Sequence, residues 1–77
     1  MIVLLFARAK DLLGTDRIEV DPAPTVGELR TRLMRQYPNL AGLLEKSAFA
    51  LNDEFADDAT SIPANAEVAL LPPVSGG

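Results

Sequence analysis

Cysteine and histidine are both missing from the 77 residues, and each absence removes a class of chemistry. Without cysteine the chain has no disulfide, no zinc–thiolate site and no thiol nucleophile of its own. Without histidine it lacks the usual acid–base group at neutral pH and the commonest metal ligand, leaving carboxylates, hydroxyls and amines. Self-contained catalysis is therefore not expected, nor is a metal site or a bound cofactor. Basic side chains are also few, 7 Lys and Arg against 11 Asp and Glu, for a net charge of -4. That balance disfavours a phosphate backbone as ligand and favours a partner with a basic surface. No long apolar run is present either. The opening Met1 to Ala7 lacks a basic leader and is broken by Arg8 and Lys10, so no membrane span is expected and the chain reads as cytoplasmic.

What remains is 48% apolar, enough for one modest core and one domain. Ile2 to Ala7 reads as a central strand. Asp11 to Asp16 reads as a loop in which Gly14 turns the chain and Leu12 and Leu13 cap the core. Arg17-Ile18-Glu19-Val20 alternates as a half-buried strand does, which completes an amino-terminal hairpin. Thr25-Val26-Gly27-Glu28 fits a capping box, with Thr25 as N-cap and Glu28 reaching back. Apolar residues at Val26, Leu29, Leu33, Met34 and Tyr37 then form a helical stripe until Pro38, with Arg30, Arg32 and Arg35 on solvated faces. Asn39 is placed to cap a shorter helix through Leu40, Leu43 and Leu44.

Phe49-Ala50-Leu51 and Glu54-Phe55-Ala56 flank Asn52-Asp53, a two-residue hairpin turn. Ile62 and Pro63 re-enter the core, and Glu67 to Leu71 is the last strand, stopped by Pro72 and Pro73. A strand–strand–helix–short helix–strand–strand–strand order lets the first and last strands lie parallel mid-sheet. This is an α+β fold, the β-grasp or ubiquitin-like arrangement: a mixed five-stranded sheet with one main helix on one face. Residues 1–71 form the domain and 72–77 an extended tail.

Two candidate surfaces follow. The acidic cluster Asp53, Glu54, Asp57 and Asp58 matches no calcium-loop spacing and reads as solvated loop. If Leu5 and Leu70 face the core, Phe6 and Leu71 face the opposite side of the sheet; with Phe55 they make a candidate partner patch. The tail Pro72-Pro73-Val74-Ser75-Gly76-Gly77 is the other candidate. A terminal Gly-Gly arises by chance in roughly one chain in two hundred. Here it follows a strand that anchors it and prolines that stiffen it, and without β-carbons it suits passage through a narrow channel to another protein's active site. The residues themselves establish a deliverable carboxylate at Gly77.

LLFARAKDLLGTD and EVALLPPVSGG resemble the MoaD-type sulfur carriers, the small subunits of molybdopterin synthase within the MoaD/ThiS family. The resemblance implies that an E1-like adenylyltransferase consumes ATP to adenylate Gly77, and that a persulfide sulfur donor converts it to a thiocarboxylate. The tail then enters the large synthase subunit, which holds the catalytic residues, and gives its sulfur to a cyclic pterin precursor. Two small subunits would flank a large-subunit dimer in a heterotetramer. Partner contacts carry over to Phe6, Phe55 and Leu71, and to Pro72, Pro73, Val74, Ser75 and Gly76. Leu71 stands where an aromatic occurs in some relatives, and Ser75 where Thr is common. Two other readings stay open: a sulfur carrier for thiazole, cysteine or tRNA thiolation or for protein conjugation, and a ubiquitin-like binding module whose terminus is never activated.

Overall fold

The computed structural model describes residues 1–73. Five strands, β1 (Ile2–Leu5), β2 (Arg17–Glu19), β3 (Ala48–Leu51), β4 (Glu54–Ala56) and β5 (Val68–Leu71), form one sheet in the order β2-β1-β5-β3-β4. The last strand therefore sits at the centre. It runs parallel to β1, with Val3 beside Val68 and Leu5 beside Leu70, and antiparallel to β3. Ladders on both sides hold it, so β5 is anchored along both edges. The expected β-grasp order and the parallel central pair are present.

The main helix α2 (Val26–Gln36) covers one face of the sheet. Val26, Leu29 and Leu33 are buried with Val3, Leu5, Phe49, Leu51, Val68 and Leu70 in one core, against which Met34 and Tyr37 pack. The start of α2 leaves no free donor in its first turn. The amides of Val26 and Gly27 donate to the carbonyls of Thr60 and Asp58, and that of Glu28 donates to Thr25 Oγ1 at 3.2 Å. This is half of the expected capping box. Thr25 is joined to Ser61 by an antiparallel bridge, and a backbone strap, not the Glu28 carboxylate, closes the helix start.

Four sequence expectations need correction. Residues Ala7–Leu13 form a helix, α1, where the sequence predicts the first strand to run through Ala7 and a loop to begin at Asp11. β1 therefore ends at Leu5, and the chain turns at Ala7, whose φ is 52°. Gly14, at φ 69°, caps that helix through its amide to the Lys10 carbonyl. Within α1 it is Ala9 that is fully buried, while Leu12 points outward and only Leu13 touches the core. Asn39 caps nothing: it lies in a 3₁₀ turn (Pro38–Leu40) that runs into α3 (Ala41–Lys46), whose N-cap is Leu40. Pro63 is exposed, and Ile62 alone of that pair packs on the core.

Arg30 is the fourth. It does not lie on a solvated face. Its side chain is 16% exposed, with the guanidinium 5.1 Å from the centre of the buried Phe49 ring. One nitrogen donates to the carbonyls of Leu44 and Ser47, and two others donate to Asp58 Oδ1. Thus one side chain ties α2 to the end of α3, the entry to β3 and the 57–61 strap.

Candidate functional site: an open sheet face beside the tail exit

Alternation along the strands decides which residues face away from α2. On β5, Val68 and Leu70 are buried in the core and Ala69 and Leu71 are half-exposed on the other side. On β1, Val3 and Leu5 go inward and Ile2 and Leu4 outward. The printed register carries this across the sheet: Arg17 pairs with Leu4, Leu4 with Ala69, Ala69 with Ala50, and Ala50 with Phe55. One row of outward positions thus spans all five strands. Ala48 and Leu71 pair in the next row. Phe6 follows Leu5 with extended backbone, so its side chain lies on the outward side near Leu71.

No described element packs over this face. Phe55 is 77% exposed and Phe6 45%, far more than large apolar side chains that serve a core. Leu71 and Pro72 are half-buried and Pro73 is exposed. Phe6, Phe55 and Leu71 are therefore brought to one side of one sheet, as the alternation argument anticipates. Val74, Ser75, Gly76 and Gly77 lie outside the described residues. Four contributors escaped the sequence reading: Leu4, Ala48, Ala50 and Ala69. Their signal was present in the alternation of IVLL, AFAL and VALL, but the three alanines attract no attention as surface.

Ala50 explains the shape of the face. It is 6% exposed yet stands outside the core cluster, paired across the strands with Phe55 on one side and Ala69 on the other. The face is consequently uneven, with large residues on β1 and β4 and a floor of alanines between. Beyond Phe55 lies a groove of about 410 Å³ bounded by Leu51, Glu54, Thr60, Ser61 and Pro63. The hairpin turn that sets β4 has Asn52 and Asp53 at φ 50° and 69°, the left-handed pair that a tight hairpin requires. Asn52 is further fixed by exchanging hydrogen bonds with Glu67.

Two of the four acidic residues near this end, Asp57 and Asp58, are engaged internally. Asp57 accepts from Thr60 Oγ1 and the Ala59 amide, and Asp58 from Arg30. Among the described residues no group of three or more carboxylates gathers as a metal site would require. No described helix is long and apolar enough to cross a membrane. The arrangement offers a docking surface next to a departing strand, and its chemistry is that of apolar contact.

The ThiS family model matches residues 3–77 of this chain. The chain belongs to the ThiS family. It is 39% identical to the molybdopterin synthase sulfur carrier subunit of Dictyostelium discoideum, over 97% of this chain and 93% of that protein. Its fold matches SAMP1 from Haloferax volcanii with a TM-score of 0.73 and 30% identity, covering 99% of this chain and 97% of the other. It also matches a chain in the complex of subunits 1 and 2 of molybdopterin-converting factor from Helicobacter pylori, with a TM-score of 0.68 and 30% identity over 99% and 96%. For this ThiS-family chain the β-grasp assignment thus stands on topology and on near-complete structural overlap.

Proposed function

We propose that the chain is the sulfur carrier subunit of a molybdopterin synthase. The observation that carries this reading is similarity over 97% of the chain to a protein of that name, together with a ThiS family match over residues 3–77. The geometry supports it in two ways. A centrally paired β5 gives the tail a rigid base, and the apolar face beside it suits a large partner such as the second subunit of molybdopterin synthase. The absence of cysteine and histidine fits a reagent whose chemistry is completed elsewhere.

In this reading the Gly77 carboxylate is a poor electrophile until ATP, bound by an E1-like adenylyltransferase, converts it to an acyl-adenylate. The outer sulfur of a persulfide donor then displaces AMP to give an acyl disulfide, and a second thiol cleaves the S–S bond, leaving Gly77 as a thiocarboxylate and the donor sulfur in a disulfide with that thiol. Phe6, Phe55 and Leu71 seat the domain on the large subunit, while Pro72 through Gly76 carry the sulfur into its active site, where the cyclic pterin precursor accepts it. Gly76 and Gly77 supply clearance, since a β-carbon would obstruct the channel. The assembly is a cytoplasmic heterotetramer, with the 1–71 domain outside and the 72–77 tail inserted.

The test is direct. The protein is incubated with activating enzyme, ATP and a sulfur donor, and intact mass is measured; replacement of one oxygen by sulfur at Gly77 is expected. The product is then mixed with the large subunit and the cyclic pterin precursor, and dithiolene formation is followed. Deleting Gly77 should abolish both steps and leave the melting temperature nearly unchanged, because a terminal tail adds little core burial. No mass shift sinks the carrier reading. A mass shift with sulfur delivered only to another acceptor sinks the molybdopterin assignment.

A further inference from the structure

The open face is complementary to itself. Its central row runs Arg17, Leu4, Ala69, Ala50, Phe55, one residue from each strand in sheet order. Ala69 is on the middle strand. A two-fold axis laid along β5 in the plane between two stacked copies reverses this row. It puts Ala69 against Ala69, Leu4 of one copy against Ala50 of the other, and Arg17 against Phe55. The neighbouring row obeys the same rule: Leu71 meets Leu71, and Phe6 comes over Ala48. The large residues of β1 thus fall into the alanine trough of β3 twice, once in each direction, as an isologous interface demands.

From this register we infer that the carrier forms a weak face-to-face homodimer through its uncovered sheet. Stacked sheets pack about 10 Å apart with strands about 4.8 Å from their neighbours, so Arg17 and Phe55 both lie two strands from the axis and meet at the rim. Arg17 has a side chain that is 64% exposed, and Phe55 presents its ring; a guanidinium over an aromatic face closes each edge of the dimer. Five strands of this length give a footprint of roughly 300 Å² per copy from strand spacing and rise. That is below the roughly 800 Å² per partner of a standard stable complex, so the dimer is transient and yields to a larger partner.

Electrostatics sets its salt response. Each copy carries a net charge of -4, and Glu19, paired with Ile2, and Glu67 sit toward the same end of the face. The two-fold, lying along β5, brings Glu67 near its counterpart, while Glu19 on β2 comes over the β4 edge of the other copy. Added salt screens that repulsion and strengthens association, whereas a contact held by opposite charges would weaken.

One consequence rests on the proposed function: the dimer covers the surface offered to the large subunit, so free carrier keeps its apolar face out of water until the large subunit displaces the second copy. The contact itself does not depend on that reading.

Sedimentation velocity on the full chain tests the contact, over about 10 μM to about 1 mM, the span in which weak interfaces populate. The mass should rise from 8.2 kDa toward twice that value, more readily at high salt. Amide shifts should move with concentration at Leu4, Ala48, Ala50 and Ala69. Ala50→Glu, which fills the trough with charge, and Phe55→Ala should each weaken the dimer by about tenfold or more, as loss of a central contact does. Circular dichroism checks that each variant is folded; if Ala50→Glu is not, Phe55→Ala decides. A single 8.2 kDa species at every concentration overturns the inference. So does a dimer that a folded variant leaves intact, or one whose shifts fall on the outer edge of β4 or on α2. If the dimer forms but the large subunit fails to dissolve it, the proposed docking on that subunit is at fault and the homodimer stands.

Discussion

Replacing Arg30 by alanine removes a cation that the fold has drawn inward, and the cost can be built from its contacts. Its nitrogens donate to Leu44 and Ser47 carbonyls in partly buried surroundings and to Asp58 Oδ1 at 2.9 and 3.2 Å. Hydrogen bonds from a charged donor contribute about 1.5–3 kcal/mol each, but the two carbonyls regain some of this from water in the opened space. The Asp58 carboxylate is 58% exposed, so its ion pair adds at most about 1 kcal/mol after screening. Stacking on the fully buried Phe49 ring adds about 1 kcal/mol. The sum, discounted for non-additivity, is about 3–4 kcal/mol, against a total of roughly 4–12 kcal/mol for a domain of this length. Thermal unfolding followed by circular dichroism should show the melting temperature falling by about 12–32 °C, taking roughly 4–8 °C per kcal/mol. Asp58→Ala should cost only about 1 kcal/mol and Arg30→Lys should restore little, since a single ammonium cannot serve carbonyls and carboxylate in one plane. An Arg30→Ala protein within about 1 kcal/mol of the parent by urea titration would show that the guanidinium is replaceable by water and the hub is incidental.

Gly27→Ala is expected to destabilise by about 1 kcal/mol despite the better helix propensity of alanine: the new Cβ would stand 3.1 Å from the Asp58 carbonyl oxygen and 3.2 Å from its Cβ. That strap cannot retreat without losing the Gly27 amide bond; a gain in melting temperature would show that it can. Gly14→Ala should cost about 1 kcal/mol, because its φ of 69° disfavours a side chain although the space around it is open; an unchanged urea midpoint would refute this. Phe55→Ala should alter stability by no more than about 0.5 kcal/mol, as exposed substitutions do, while weakening large-subunit binding by about tenfold in a titration. A severely destabilised monomer would put Phe55 in the core after all.

How far the fold could be read depended on how local its signals were. The α2 stripe, the Asn52-Asp53 turn and the two amino-terminal strands were legible because each is written within a few residues of itself. Helix α1 was not, since its seven residues carry no side-chain cap and follow an apolar run that looks continuous through Ala7. The break there is a backbone event, an alanine at positive φ, for which no residue type gives notice. Arg30 was misread for the opposite reason. Its helical position suggested solvent, and its partners Leu44, Ser47 and Asp58 are 14 to 28 residues away, assembled only when α3 and the strap close over it.

The candidate site shows the same division, and β5 is where the two halves meet. The Gly76-Gly77 pair is visible in sequence because it is written in two adjacent residues. The face beside it needs the register of five strands before Ala48, Ala50 and Ala69 become a trough and not filler. Along β5 the two requirements alternate residue by residue: Val68 and Leu70 close the core, while Ala69 and Leu71 belong to the open side. The core side is dense, reinforced by α2 and the Arg30 hub, and the open side is left uncovered by every described element. Stability is therefore concentrated on the face covered by α2. A domain built this way can surrender its open face to successive partners without repacking its core, and the strand that aims the tail stays fixed through each exchange.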